Sequence, residues 1–398
     1  MAVALRAESL GGLRTSTSLL WFVVVAAQVV VTELSFERVG LTSQGLDISR
    51  WAILSVVLVL PVGIAALDHR LRAALSSKGG KWFVSLWGLG VLSTLWSVDP
   101  FATLVVSLTI FVSFAAGALA SVTLGVDQTI RVALLGGIAL LLGSVAVEVG
   151  NTERWSGLSD SPTSLARTGT FVVVLSALVI GQRRWGLIPY AAIVLGLGNV
   201  LLSQSRVTLL ISLLALGIGI VRSVPAVRQS IVAAGLTAVA LVGAVASWTR
   251  IVEVATRSNP DTNLTELNGR ISVWSEALPL IADRPILGYG VGSGTKIWAE
   301  QVVDGSLIWN AVHSHQQFLE VALGVGVVGL VLYLGALAFT WRGEKGSAKV
   351  VSRSLVATVV AVGLTEANLE VESLLVFLLG VAVGAARKQS TAPPGGHR

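Results

Sequence analysis

The 398-residue chain is too apolar to form a soluble domain, because hydrophobic residues make up 54% of it and charged residues only 13%, with a mean hydropathy of +0.80. The absence of cysteine excludes disulfide bonds, thiolate metal sites and cysteine nucleophiles. The net charge of +6 does not indicate nucleic-acid binding, since the basic residues flank apolar segments and face anionic lipid.

About twelve apolar segments follow one another, and each is long enough to cross a bilayer as an α-helix. Only helices and closed barrels satisfy their backbone polar groups in hydrocarbon, so the sequence predicts an all-α, polytopic integral membrane protein. Glycines within these segments, such as Gly196, Gly198, Gly380 and Gly384, are predicted to let neighbouring helices pack closely. The predicted transmembrane helices lie near residues 17–34, 51–67, 82–98, 101–124, 129–148, 165–182, 185–203, 206–221, 229–248, 315–340, 350–365 and 371–386.

The distribution of basic residues predicts the orientation of the chain. With twelve spans both termini lie on the same side, which holds 18 of the 28 Lys and Arg residues but only 4 of the 22 Asp and Glu residues. Because Lys and Arg concentrate in cytoplasmic loops, both termini are predicted to be cytoplasmic. Residues 1–386 are predicted to form a single transmembrane domain, and residues 387–398, which are polar and rich in Pro and Gly, a disordered cytoplasmic tail.

One long polar stretch, residues 249–314, lies between the ninth and tenth predicted helices and is therefore predicted to be external. From Asn268 the residues Trp274, Ala277, Leu278 and Ile281 recur at helical spacing, which predicts a short amphipathic helix with Trp274 at headgroup depth. Arg270 at the start of this helix would favour an anion, through its own charge and through the helix dipole.

A glycine-rich segment, residues 287–294, follows the predicted amphipathic helix. It lacks the GxGxxG spacing and the preceding strand of a nucleotide-binding site. The glycines are instead predicted to form a tight external turn, with backbone N–H groups available to an anion.

Three further side chains are candidates for chemistry on the external side. Arg206 follows the short turn 203–205, so its guanidinium is predicted to lie at the outer membrane boundary, where many arginines merely snorkel. His313 and His315 end the long loop, and an imidazole can accept a proton from a hydroxyl near neutral pH. A loop histidine is more often simply bonded to backbone, and His-x-His without further ligands does not predict a metal site.

The order of several motifs resembles that of one family. From His315 the chain reads HQ, nine residues and then GVVG, which resembles the H[NSQ]-x9-G-x-x-G signature of the O-antigen ligase and polymerase family. The segments WSVDP at 96–100, RVTLL at 206–210, and NGR at 268–270 followed by RPILGYG at 284–290 are similar to motifs that precede this signature in the family. The resemblance covers about residues 80–335, and the single long external loop agrees with it.

This resemblance implies a glycosyltransferase C-like fold with its active site on the external or periplasmic face of a bacterial plasma membrane. It implies a metal-independent glycosyltransferase without cofactors, which transfers a glycan from a polyprenyl diphosphate donor, usually undecaprenyl diphosphate, to a glycan or glycolipid acceptor. His315 would be the catalytic base, and Arg206 and Arg270 would bind the donor diphosphate. Weaker candidates for accessory contacts are His313, Arg284, Arg167 and Asp304.

Several functions stay open at this point. A ligase transfers a finished glycan, whereas a polymerase joins repeat units, and the motifs do not separate the two, although the histidine followed by GxxG favours the ligase type. A secondary transporter of a small anion is an alternative from another class, but its charges would lie near the bilayer midplane, and here they cluster at predicted span ends. A non-catalytic scaffold of a polysaccharide assembly complex is a third reading.

Overall fold

The computed structural model describes residues 69–149, 155–159, 161–180, 185–223, 270–303, 313–342, 347–364 and 374–385, together with Val25. These residues form α-helices and a short 3-10 turn at Ser93–Leu95, and they contain no β-strand. In chain order the helices are α1 (His69–Leu75), α2 (Lys78–Leu92), α3 (Pro100–Thr123), α4 (Val126–Glu148), α5 (Pro162–Val179), α6 (Ile188–Leu202), α7 (Arg206–Ser223), α8 (Arg270–Asp283), α9 (Gly294–Val303), α10 (Gln317–Trp341), α11 (Ser347–Gly363) and α12 (Leu374–Ala385).

Among the described helices, α3, α4, α5 and α10 are long and apolar enough to cross a membrane. The helices α6 and α12 and the segment Thr208–Gly217 of α7 are apolar but shorter. The prediction of an all-α membrane protein is therefore confirmed for the described part. The predicted spans near 17–34, 51–67 and 229–248 and the tail 387–398 lie outside the described residues, apart from Val25, so the total of twelve spans stays a prediction.

The helix predicted near residues 82–98 ends earlier in the structure, at Leu92. Residues 93–95 tighten into the 3-10 turn, and the chain then reverses, because the Asp99 carboxylate accepts the backbone N–H of Ala102 (3.0 Å) and Pro100 occupies the first turn of α3. An Asp cap followed by Pro favours a new helix start, since the cap satisfies an N–H that has no partner within the helix. The WSVDP segment thus forms the connection between α2 and α3.

Small residues bring α3 and α12 into close contact. A Cβ atom added at Gly117 would meet the carbonyl oxygen of Phe377, and one added at Gly380 would meet that of Phe114. The chain therefore packs here through backbone atoms, which is the usual use of small residues between helices in lipid. Gly196 packs in the same way against Gly169 of α5, whereas a Cβ added at Gly198 would meet no described atom within 4 Å, so the predicted close packing is not found at Gly198 among the described residues.

The helix α10 is broken within its length. Val325 and Gly326 have non-helical backbone angles, with φ of +66° and ψ of −167° at Gly326. Residues 285–292, which we call the docking loop, lie against the break: the N–H groups of Tyr289 and Gly290 donate to the carbonyl oxygens of Leu323 (2.9 Å) and Gly324 (2.7 Å). The N–H of Val327 in turn donates to the carbonyl oxygen of Pro285 (2.8 Å). Irregular backbone at this depth is tolerated because protein groups replace the missing helical hydrogen bonds.

The helices α8 and α9 form a small hydrophobic core of their own above α10. Its buried members are Val273, Ala277, Tyr289, Ile297, Trp298 and Leu323. The helix α9 was not expected from the sequence, because its ten residues carry no long apolar repeat. The buried face of α8 also differs from the predicted one: Leu278 is 58% exposed, and Val273 takes its place in the core.

The connections define two ends of the helix bundle. The short turns from α2 to α7 make successive helices antiparallel, and α10 runs antiparallel to α2, since Thr340 lies beside Gly79 at the start of α2. The first residues of α10 therefore share one end with the turns at 93–99, 155–159 and 203–205. We call this the histidine end, because residues 313–316 lie there.

Candidate active site

Ser314, between the two histidines, is anchored on both sides of its backbone. Its N–H donates to the Glu320 carboxylate (2.8 Å), and its carbonyl oxygen accepts the indole N–H of Trp274 (3.0 Å). The Ser314 hydroxyl donates to the carbonyl oxygen of Gln316 (3.0 Å), and Ser314 is fully buried. The turn formed by residues 313–316, which we call the histidine turn, is therefore held by α8 from one side and by the first turn of α10 from the other.

His315 adopts an unusual backbone conformation for a non-glycine residue, with φ of +52°. Its N–H donates to Nδ1 of His313 (3.2 Å), and the two imidazole rings meet edge to face with centroids 4.0 Å apart. Because Nδ1 of His313 accepts this bond, the neutral His313 ring carries its proton on Nε2. Strained backbone of this kind persists only where surrounding contacts hold it, and such residues cluster at functional sites.

Glu320 is a site residue that the sequence reading missed. It lies five residues after His315 in the first turn of α10 and is 9% exposed. One carboxylate oxygen accepts the Ser314 N–H, and the other faces Gly294 at the start of α9, where the helix dipole favours a negative charge. An acid in the first turn of an otherwise apolar helix was the available signal in the sequence, because an acid is seldom buried unless it is paired.

Arg270 is placed close to the histidine turn by its helix. It begins α8, one helical turn before Trp274, so the two residues are separated by about 6 Å along the helix axis. Since Trp274 donates to Ser314, the start of α8 lies next to the histidines. The structure thus brings Arg270, His313 and His315 to one site, with each side chain partly exposed.

Arg206 and Arg167 belong to a neighbouring part of the histidine end. Arg206 begins α7, and its side chain lies outside the described residues, as does the whole of Asp304. Thr170 of α5 donates to the carbonyl oxygen of Thr208 (3.2 Å), which packs the first turn of α7 against α5. Arg167 lies one turn before Thr170 and donates to the Ser164 hydroxyl (2.8 Å). These helices pack mainly against each other, α4, α6 and α11, so the described contacts do not join Arg167 to the histidine turn.

Arg284 is engaged by the docking loop. Its guanidinium carbon lies 4.5 Å from the centroid of the Tyr289 ring, and the Tyr289 hydroxyl donates to Asp283 (2.9 Å). Burial raises the pKa of the Tyr289 phenol, and the bond to Asp283 raises it further, so Tyr289 remains a donor at neutral pH. The contacts of Arg284 therefore stabilise the loop.

Residues 288–290 of the docking loop are buried against α10, whereas residues 285–287 are exposed. Cβ atoms added at Gly288, Gly290 and Gly292 would overlap α10 or α3, and all three glycines have φ between +63° and +105°. Only glycine combines this backbone with so little space. The N–H groups of Tyr289 and Gly290 bond to α10, so the prediction that this loop offers them to an anion is wrong.

The WSVDP segment supports the docking loop from the other side. The Trp96 indole N–H donates to the carbonyl oxygen of Leu287 (3.1 Å), and the N–H of Val98 donates to that of Tyr289 (3.1 Å). Its Asp99 caps α3 and contacts neither histidine, since its carboxylate accepts from Ala102. The early motif is therefore structural and holds the loop against the break in α10.

A cavity of about 50 Å³ lies behind the histidine turn, between α2, α3, α10 and the docking loop. Its walls are mostly apolar, with polar groups from Ser107, Gln317 and Glu320. This volume accommodates water molecules but no glycan. Within the described ranges, no three His, Cys, Asp or Glu side chains are grouped closely enough to hold a metal ion.

A comparison with known proteins identifies the segment that contains this site. Residues 191–334 match the family model described as O-antigen ligase. The match runs from α6 into α10 and includes Arg206, Arg270, both histidines and Gly326. No curated protein matches the chain.

Proposed function

Since residues 191–334 match the O-antigen ligase family model, we propose that the chain transfers a glycan from a polyprenyl diphosphate donor to an acceptor hydroxyl in the synthesis of a cell-surface polysaccharide. The observation that carries the proposal is the hydrogen bond between Trp274 and Ser314, because it puts the arginine at the start of α8 beside the histidine pair. A fixed cation next to a titratable base is the arrangement that diphosphate departure and proton transfer require.

In the proposed reaction, His315 removes the proton from the acceptor hydroxyl. The hydroxyl oxygen forms a bond to the anomeric carbon of the donor sugar, and the bond from that carbon to the diphosphate oxygen breaks. Arg270, together with Arg206, binds the diphosphate, whose negative charge grows as it leaves, and guanidinium groups can stabilise this charge without a metal ion. The polyprenyl diphosphate leaves, and a single displacement inverts the anomeric configuration.

We place the histidine end on the external face of the plasma membrane. Support comes from the basic residues at the other end of the bundle, where positively charged loops favour the cytoplasm. Those whose side chains the structure describes are Arg72, Lys78, Lys81, Arg131, Arg342, Lys349 and Arg353. In this orientation both termini are cytoplasmic. The reaction takes place outside the cytoplasm, where the diphosphate donor supplies its energy without a nucleotide.

A transporter is the competing function from another class, and the broken helix α10 is the feature that favours it. In carriers, the free carbonyl groups of a broken helix bind the transported ion. Here the carbonyl oxygens of Leu323 and Gly324 already accept hydrogen bonds from the docking loop. The break is therefore better explained as the place where the docking loop packs than as an ion site.

Reconstitution of the purified protein into proteoliposomes tests the proposed function. Vesicles that contain an undecaprenyl diphosphate-linked glycan and a glycolipid acceptor are expected to yield transferred glycan, also in the presence of EDTA. Transfer of whole glycans indicates a ligase, and chains of lengthening repeat units indicate a polymerase. Solute flux without transfer would establish a carrier instead, and neither activity would favour a scaffold.

Replacing Arg270 by alanine is expected to lower the rate of transfer by about 10² to 10³, because a missing cation at a developing charge costs roughly this much. Lys296→Ala is the matched control: Lys296 is a cation of the same external region whose ammonium group donates to the carbonyl oxygen of Val98. The control is expected to stay within about threefold of the wild type, since an exposed contact of this kind contributes little. Equal losses in both variants would contradict a specific role for Arg270.

A further inference from the structure

The two hydrogen bonds to Ser314 come from residues that touch neither the diphosphate nor the acceptor in the proposed reaction. Trp274 belongs to α8, and Glu320 belongs to α10. Both hold backbone atoms of Ser314, so neither bond depends on the serine side chain. Because Ser314 directly precedes His315, its backbone sets the position of the imidazole.

The same two residues connect the histidine turn to the rest of the site. Trp274 is one turn from Arg270 on the same helix, and Val273 and Ala277 next to it are buried in the small core with Tyr289 of the docking loop. Glu320 lies between the histidine turn and the start of α9, which packs into the same core through Ile297 and Trp298. A displacement of α8 would therefore displace the histidine turn.

We infer that Trp274 and Glu320 are positioning residues, which fix His315 relative to Arg270 by holding the two sides of the Ser314 peptide. This inference rests on the proposed function. We call the two hydrogen bonds from Trp274 and Glu320 to Ser314 the clamp. The positive φ of His315 adds to the need for it, because a non-glycine residue leaves the left-handed region unless its neighbours hold it there. The clamp supplies this restraint, together with the bond from the His315 N–H to His313.

The indole N–H of Trp274 can be removed with a matched control. Trp274→Phe keeps an aromatic ring but loses the donor to Ser314. Trp298→Phe makes the same change in the small core next to Trp274, at a fully buried residue whose indole nitrogen has no hydrogen-bond partner in the described part of the chain. The two variants thus separate loss of the clamp from loss of packing volume.

We expect Trp274→Phe to lower kcat by about 10- to 100-fold, because a displacement of a catalytic group by about 1 Å costs up to this much. We expect Trp298→Phe to lower the thermal midpoint more than Trp274→Phe does, since it leaves a cavity at a more buried position, and to keep kcat within about threefold of the wild type. The clamp is disproved if Trp274→Phe retains at least half of the wild-type kcat, or if kcat follows the thermal midpoint in both variants.

Glu320 provides a second test that does not depend on catalysis. In Glu320→Gln an amide oxygen can still accept the Ser314 N–H, whereas Glu320→Leu removes the acceptor. Hydrogen exchange followed by mass spectrometry is expected to be at least about tenfold faster in the peptide that contains Ser314 when Glu320 is replaced by leucine, but not when it is replaced by glutamine, because a hydrogen-bonded amide exchanges only when it opens. Unchanged exchange in Glu320→Leu would overturn the inference.

The two readouts separate failure of the clamp from failure of the proposed function. A wild-type protein that transfers no glycan contradicts the proposed function, while the exchange measurement still decides whether Glu320 holds Ser314. A wild-type protein that transfers glycan, with an unaffected Trp274→Phe variant, contradicts the clamp alone.

Discussion

Replacing His315 by alanine is expected to lower the rate of glycan transfer by about 10² to 10⁴, the usual contribution of a general base. The loss should appear in kcat, with donor binding preserved, because the imidazole acts on the acceptor hydroxyl and the arginines bind the diphosphate. The measurement is transfer in proteoliposomes at saturating donor, together with the binding of undecaprenyl diphosphate to each variant.

Two other histidines serve as comparisons for this prediction. His69→Ala is expected to retain wild-type transfer, since His69 begins α1 at the end of the bundle opposite the histidine turn. His313→Ala is expected to lose about tenfold, because Nδ1 of His313 accepts the N–H of His315 and so supports its backbone. A His313→Ala variant without activity beside an active His315→Ala variant would assign the base to His313.

Gly326→Ala is expected to destabilise the protein by about 3 kcal/mol or more. The backbone of Gly326 lies in a region that only glycine occupies without strain, and a Cβ there would overlap the carbonyl oxygen of Ile286 in the docking loop. Relief of this overlap moves the loop away from α10 and breaks its bonds to Leu323 and Gly324. The thermal midpoint in detergent should therefore fall by several degrees, and transfer should fall with it.

Gly198→Ala is the matched control for this substitution. Gly198 lies within α6, and an added Cβ meets no atom within 4 Å. Alanine is the better helix former, so this variant is expected to be as stable as the wild type or slightly more stable. If Gly326→Ala behaved like Gly198→Ala, the break in α10 and the docking loop would not be coupled.

The contacts around α10 give a physical reason for the histidine and glycines of the family signature. His315 begins it, and Gly326 and Gly329 end it, about two and a half and a little over three turns into α10. Gly326 breaks the helix, and at Gly329 an added Cβ would overlap the Val325 side chain. Gly326 therefore accepts the docking loop, which in turn packs against α8, the helix that carries Arg270. The spacing between the histidine and the first glycine therefore corresponds to the length of α10 between the histidine turn and the position where the docking loop packs.

The sequence analysis selected site residues whose chemistry is visible in isolation, and their roles stay a prediction. A pair of histidines at the end of a polar loop and an arginine at a helix start are unusual in so apolar a chain, and the structure brings Arg270, His313 and His315 to one place. It failed for the backbone N–H groups of the docking loop, which were expected to be available to an anion, because nothing in a run of glycines says which carbonyl groups these N–H groups will meet. It did not assign Glu320 to the site, because the sequence does not show that its carboxylate accepts the Ser314 N–H.

Membrane class, helical content and the approximate positions of most helices follow from the chain alone, because crossing hydrocarbon constrains each segment of about 20 residues separately. The break in α10, the buried loop that fills it and the clamp on Ser314 depend on partners far apart in the chain. The bond from Trp96 to Leu287 joins residues 191 positions apart, and that from Trp274 to Ser314 spans 40. Such pairs form only when the helices have packed, since packing decides which polar groups lose water together and must bond to each other.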